Sequence, residues 1–496
     1  MNTRPIRGQL LFGALLGSLA FGCGGSQSAG QTETAASAGT AVDESWRKSR
    51  PAPGAERELV YPGAQVAQLP NGVQLYLVSR PAGTVALSVS SRAGGSACRK
   101  GESGLAALTL RLMTEATAGK NPLELAEAAE SLGSSIEFDT GRDGSSVSME
   151  VLGSDVEAGL ELMAEVITQP RFAAADVERV QRQWVDSLVS ERQEPSRLSS
   201  LAGIRALLGP EVGAPVRGSV PDVRRLTRAD LVRFHREHYV AGNLALIAVG
   251  DLTMERLQAL ATKGFGQLPV QKPPAPPERP SAPALEKTRI WLIDRPDSVQ
   301  SALFVGQPFP DRAAAGHEAR QVTNNLLGGL FTSRLNSNLR EKHAYTYGVR
   351  SLAIATRRWG AFISMSSIKT ESTADALEQL TLELAGLKSG TPNPISDEEL
   401  ARSKTDLVHS LGANLEHVRR VLGDTGELYV DGLPADYHSR YPKLIAGVNR
   451  EAAQAEAQRL TPDRLSVIIV GDEKQVKPLL VAKGWTVEAA PATFTD

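Results

Sequence analysis

Residues 326–349 read LLGGLFTSRLNSNLREKHAYTYGV. Leu335 and Leu339 stand four apart, on one helix face, with Asn336 and Asn338 between them and Arg340 directly after. The spacing predicts the end of a helix that carries Arg340. From Tyr345 onward the pattern changes period: Tyr345, Tyr347 and Val349 alternate with Thr346 and Gly348, as in a strand. Strand alternation predicts that Tyr345 and Tyr347 face the same side. Taken alone, the residues leave two readings open. Arg340 pairs with a surface acid while Tyr347 fills a core, or the permanently charged guanidinium and the phenol donate to a shared oxygen.

Working outward, the chain repeats itself. LYLVSRP (75–81) and IWLIDRP (290–296) are each an apolar strand stopped by proline. LALIAVGD (244–251) and SVIIVGD (466–472) are later apolar runs. Each is followed, after a helical stretch, by Lys-Gly-aromatic: Lys263-Gly264-Phe265 and Lys483-Gly484-Trp485. An internal duplication accounts for this economically. Between the strands lie amphipathic helices, marked by Leu105, Leu108 and Leu112 after a Ser103 cap, by Val177, Val180, Trp184 and Leu188, by Leu231, Phe234 and Tyr239, and by Leu377, Leu380, Leu384 and Leu387. The fold class is α+β: two homologous domains, each with a mainly antiparallel sheet covered by helices.

The segment PVQKPPAPPERPSAP (269–283) separates the halves as a semi-rigid, polyproline-like connection. The expected organisation is a signal peptide over 1–22, a tether over 23–57, a first domain over 58–268, the linker over 269–285, a second domain over 286–487 and a tail over 488–496. Arg4 and Arg7 precede the apolar run 10–21, which is too short for a bilayer-spanning helix. LAFGC (19–23) resembles a bacterial lipobox, which implies a diacylglyceryl group on the thiol of Cys23. Gly24 rather than Asp after that cysteine implies, by the same resemblance, the outer membrane, with the protein facing the periplasm. The Gly/Ser/Ala/Thr/Gln-rich stretch that follows buries too little to order itself and has a reach of roughly 30 Å. With Cys23 taken by lipid, a chain of two cysteines makes no internal disulfide.

The net charge of −2, with 22% charged and 41% hydrophobic residues, describes an ordinary globular chain and supports no nucleic-acid partner. Gly-x-Ser-x-Gly elbows, phosphate loops and dinucleotide fingerprints do not stand out.

Residues 326–349 resemble the second-half signature of the pitrilysin (insulinase-like, mitochondrial-processing-peptidase-like) metallopeptidase family. The resemblance covers roughly residues 61–485 and implies two domains facing each other across a cavity. It also implies that Arg340 and Tyr347 help to stabilise the transition state of peptide cleavage. An active member carries His-x-x-Glu-His on a helix in its first half. Here Gly104-Leu105-Ala106 is followed by Ala107, Leu108, Thr109, Leu110 and Arg111, so Ala107 and Arg111 replace the histidines and Leu110 the glutamate. Alanine offers no lone pair, and arginine puts a fixed positive charge where the ion would sit. The third ligand, a later glutamate, falls near Asp186, Ser187 and Leu188. The first histidine of the chain is His235.

The remaining histidines give only near-misses: His235-Arg236-Glu237-His238 is one residue short, His317-Glu318-Ala319-Arg320-Gln321 ends in Gln, and His409 and His417 stand two helical turns apart. No cofactor and no metal are therefore expected on this chain. Within the family, zinc and the Arg/Tyr pair can reside on separate chains, and this sequence resembles the second kind. The expectation is a non-metal-binding subunit of a heteromeric zinc peptidase. A related zinc-motif-bearing subunit supplies the zinc, peptide or unfolded polypeptide is the substrate, and a lipid anchor holds the assembly to the membrane. Two alternatives stand beside it. One is an inert peptide-binding or structural envelope lipoprotein; the other is a self-sufficient metalloendopeptidase using His235, His238 and an acid.

Overall fold

A computed structural model describes Gly54 and residues 58–278 and 285–495. The signal peptide, Cys23, the tether apart from Gly54 and part of the proline-rich connection lie outside the described residues.

The described strands, numbered along the chain, form two six-stranded sheets. The first has the order β1 (Gln65–Gln68), β2 (Gln74–Ser79), β6 (Leu244–Gly250), β3 (Thr84–Ser91), β5 (Ser145–Leu152) and β4 (Glu137–Thr140). The second has the order β12 (Val487–Ala489), β7 (Arg289–Asp294), β11 (Ser466–Gly471), β8 (Gln300–Phe309), β10 (Gly360–Lys369) and β9 (Thr346–Ala355). In the first, β2 and β6 run parallel and the pairs toward β4 are antiparallel. In the second, β7 and β11 run parallel and the pairs toward β9 are antiparallel. The duplication read in the sequence is thus a duplication of topology, with β6 and β11 in matching places.

Every residue of β6 and β11 is buried. That explains their unbroken apolar runs, because a strand covered on both faces has no polar side to alternate with. One face of each sheet is covered by helices of its own half. The other face is covered by a helix lent from the opposite half. Ala202, Leu207 and Leu208 of the Pro195–Val212 helix bury against Trp291, Phe304, Ile363, Ile468 and Val470 of the second sheet. In return, Val421, Leu422, Leu428 and Tyr429 of the Val418–Asp431 helix bury against Tyr76, Ala86, Ile247 and Val249 of the first. Gly203 lies so close to the Phe304 ring that a Cβ there would overlap it. A cavity of about 950 Å³ remains between the halves beside the Val418–Asp431 helix. Among the described residues no helix is long and apolar enough to cross a membrane.

Several local expectations are corrected. The helix over Leu105–Met113 is not capped by Ser103, whose hydroxyl donates to the Pro215 carbonyl at 2.9 Å. Its N-cap is Gly104 at φ 92°, a left-handed conformation that glycine adopts without strain. The two tyrosines do not share a side. The pairing of β9 with β10 shifts register between Ser366 and Ile368, so that Tyr347 and Gly348 together oppose Ser367. This bulge breaks the alternation. Tyr345 packs against the second core, and Tyr347 turns outward, 90% exposed.

Candidate functional site

Arg340 and Tyr347 sit on adjoining elements, the Asn336–Lys342 helix and β9. The helix is of π type, and the chain leaves it through Ala344 at φ 53°, with Tyr345 N–H donating to Leu339 O at 2.9 Å. Asn336 fixes one element to the other. Its side-chain amide donates to Val349 O at 3.0 Å and accepts from Val349 N–H at 2.9 Å, while it is itself buried. Arg340 is one helical turn beyond Asn336, and Tyr347 is two residues before Val349.

The guanidinium of Arg340 stacks on the Phe331 ring, 3.9 Å from carbon to centroid, and its Nε lies 3.3 Å from Glu341. The Arg340 side chain is 30% exposed, while its Nη1 is buried without a hydrogen-bond partner. A planar cation held on an aromatic face and partly open to solvent presents a fixed positive charge to an acceptor brought to it. The bulge that aims Tyr347 is stitched by hydroxyls: Thr346 Oγ1 lies 2.9 Å from Ser366 Oγ, and Ser366 Oγ donates to Gly348 O at 2.8 Å. The preceding Arg334 has a different role. Its guanidinium grips Glu399 with two 2.8 Å bonds and reaches the carbonyls of Asn393 and Pro394, so it closes the fold. Gly328 lets the chain approach β9, since a Cβ there would lie 2.5 Å from Ser351 Oγ.

The helix where a zinc motif would lie is built for another purpose. Ala107 and Leu110 are 2% and 0% exposed, and Leu110 belongs to the first core. Arg111 pairs with Glu115 one turn on, and Arg179 from the Ala174–Glu191 helix pairs with the same carboxylate. Glu115, 9% exposed, is thus held between two guanidiniums. Of the positions considered for a third ligand, Asp186 is exposed and Leu188 is in the core. Ser187 Oγ donates to Trp184 O at 2.8 Å and accepts from Arg217 at 3.0 Å. The residues present do not fit a zinc ion. Sequence reading missed Glu115, although its four-residue spacing from Arg111 is the signal of a pair one turn apart, here closed just past the helix end.

The alternative site at His235 and His238 does not assemble. His235 Nε2 is 2.8 Å from Ile167 O, and its ring stacks on Tyr239. His238 lies against Phe234 at 4.4 Å, and burial pushes its pKa down to about 4. His409 and His417 are exposed. Among the described residues no three His, Cys, Asp or Glu side chains converge as metal ligands would.

Residues 75–203 match the insulinase family of peptidases, M16, and residues 225–407 match the peptidase M16 inactive domain. An uncharacterised zinc protease of Mycobacterium tuberculosis is 27% identical over 362 residues, 73% of this chain and 82% of that one. A Helicobacter pylori protein named as a non-peptidase homologue is 22% identical over 357 residues, 71% of this chain and 80% of that one. The crystal structure of a peptidase M16 inactive domain from Pseudomonas fluorescens superposes with a TM-score of 0.75 at 27% identity, covering 82% of this chain and 98% of that one.

Proposed function

The chain belongs to the M16, insulinase-like family of peptidases, and on that footing we propose that it is the non-metal-binding subunit of a heteromeric zinc endopeptidase or oligopeptidase. The observation that carries this reading is the contrast between its two halves. The metal position holds Ala107, Leu110 and the Arg111–Glu115–Arg179 cluster, whereas Tyr347 is displayed at the surface and Arg340, on the adjoining helix, is partly exposed and paired with no acid of the fold's interior. A related chain with an intact His-x-x-Glu-His motif supplies the zinc. Peptide cleavage develops negative charge on the former carbonyl oxygen, and donors fixed beforehand stabilise it without reorganising. Arg340 contributes charge and N–H groups, and Tyr347 contributes its O–H. The substrate is peptide or unfolded polypeptide, and lipid on Cys23 holds the assembly at the outer membrane, facing the periplasm.

The test is reconstitution. Alone, the chain is expected to retain no stoichiometric zinc and to cleave no peptide; with its zinc-bearing partner it is expected to form an active complex. Chelator-sensitive turnover by the isolated chain contradicts the reading. The second reading, an inert peptide-binding or structural lipoprotein, draws support from the non-peptidase name of the Helicobacter pylori relative. It requires that changes at Arg340 and Tyr347 leave the complex fully active.

A further inference from the structure

The cavity between the halves holds charges that the fold leaves uncommitted. One wall is the serine-bearing face of the first sheet, with Ser88 from β3 and Ser146 from β5. Another is the Val418–Asp431 helix, which contributes Glu427 and Asp431, four residues apart and on one helix face. Arg312, in the chain between β8 and the His317–Asn324 helix, lines it too and lies over the Tyr437 ring at 4.9 Å. Both carboxylates feel the Arg312 charge, yet neither forms an ion pair or hydrogen bond with it or with any other described residue. The Arg312 guanidinium likewise makes no hydrogen bond or ion pair with any described residue, only its contact with the Tyr437 ring.

Several of their charged neighbours are already employed, although Asp139 and Arg420 also line the cavity and the Arg357 charge reaches Asp431. Asp424 accepts from Tyr61 Oη at 2.8 Å and from Asn414, Asp143 accepts from Arg357 N–H at 2.8 Å, and Arg419 is divided between Glu137 and Glu150. Glu427 retains accessible surface because the cavity admits solvent, although protein surrounds it closely enough to disfavour its charge. Charges left without a partner in a partly enclosed space are costly singly. They become favourable when one ligand carries both complements. A volume of about 950 Å³ exceeds what a single amino acid fills, and serine hydroxyls suit backbone amides better than apolar side chains.

We propose that this cavity binds a short peptide with free termini, its α-ammonium group received by Glu427 and Asp431 and its α-carboxylate by Arg312. Such peptides are the products of the peptidase reaction proposed above, but the binding needs no zinc and no partner. Its success or failure is therefore separable from that of the reading at Arg340 and Tyr347.

The experiment is calorimetric titration of the full chain, alone, with triglycine, N-acetyltriglycine, triglycinamide and free glycine. Triglycine is expected to bind saturably, and capping either end is expected to weaken binding about tenfold or more, as for loss of one charge-assisted contact. Free glycine is expected to bind more weakly than triglycine. Glu427→Gln should erase the preference for triglycine over its N-acetyl form, with Asp431→Asn as the second variant, and Arg312→Gln should erase the preference over the amide. Circular dichroism melts check that each variant is folded. Equal binding of free and capped peptides, no binding of triglycine at millimolar concentration, or variants that keep both preferences overturns the proposal.

Discussion

Asn336 makes two reciprocal hydrogen bonds with the backbone of Val349, and through them the helix carrying Arg340 is tied to the strand carrying Tyr347. Replacing Asn336 with Ala strands the N–H and C=O of a buried residue. The expected loss is about 2–6 kcal/mol, from an unmet cost of roughly 1–3 kcal/mol for each of the two buried polar groups. A urea titration measures it. Phe331→Ala should act differently, because Phe331 is exposed and only supports Arg340. Stability should hold within about 0.5 kcal/mol. Activity of the assembled complex should fall severalfold, as expected from a cation–π contact of about 0.5–1 kcal/mol.

The Arg111–Glu115–Arg179 cluster makes the lost zinc motif hard to restore. Glu115→Ala should destabilise the chain by about 1–2 kcal/mol. That is less than a fully buried pair implies, since both arginines are partly exposed. The triple change Ala107→His, Leu110→Glu and Arg111→His should yield an unstable chain rather than a zinc enzyme. Leu110 is fully buried in the first core, where an unpaired carboxylate costs at least about 4 kcal/mol. Thermal melts with and without zinc measure the outcome; a well-folded, zinc-loaded triple variant contradicts the account of this helix.

The exchanged helices give a paired test. Gly203→Ala drives a methyl into the Phe304 ring and should cost about 1–3 kcal/mol. At Gly426, on the reciprocal helix, an added Cβ meets Ile247 Cδ1 and Ser90 Oγ at an ordinary 3.7 Å. Gly426→Ala should therefore be neutral or stabilising by up to about 1 kcal/mol. Chemical denaturation of both variants decides this, and equal effects would mean that the two interfaces are not packed as described.

Much of this architecture is legible in the sequence, and the rest is hidden for identifiable reasons. The unbroken runs of β6 and β11 and the echoes around Pro81 and Pro296 mark the duplicated topology. The reciprocal loan of helices does not show, because an amphipathic pattern says that a face is covered and not by what. Nothing local to Gly203 points to Phe304. Ser103 looks like a cap until the fold brings Pro215 O to it. The outward turn of Tyr347 depends on a bulge against β10, a matter of register between distant residues. At the position of the family's zinc motif the reverse holds: that Ala107, Leu110 and Arg111 offer an ion no ligand is legible from residue chemistry alone.

Glu427 gives a pH signature. Desolvation, reinforced by Asp424 and Asp431 and partly offset by Arg312, pushes its pKa up to about 7. An acid with a raised folded pKa binds its proton more tightly when folded. Its contribution to stability is full below the unfolded value near 4.5 and is lost as pH rises through about 7. His238 and His317, pushed down to about 4 by burial, act in the opposite sense: they disfavour the folded state as pH falls below the usual histidine range. The difference between wild type and Glu427→Gln isolates the carboxylate. Relative to wild type, the variant should melt higher at pH 8 than at pH 5, and a constant offset between those pH values would contradict the assignment.

The central claim is that this chain lends Arg340 and Tyr347 to a zinc held by another subunit. The most direct measurement is kcat of the reconstituted complex with wild-type chain and with Tyr347→Phe, alongside its assembly and the melting temperature of the variant. Tyr347 is 90% exposed, so the change should leave folding intact. The expected result is an intact complex whose kcat falls by about 10²-fold or more, the scale for losing one donor to a developing oxyanion. An unchanged kcat in an intact complex would contradict the claim and leave a chain that binds or builds without taking part in the chemistry.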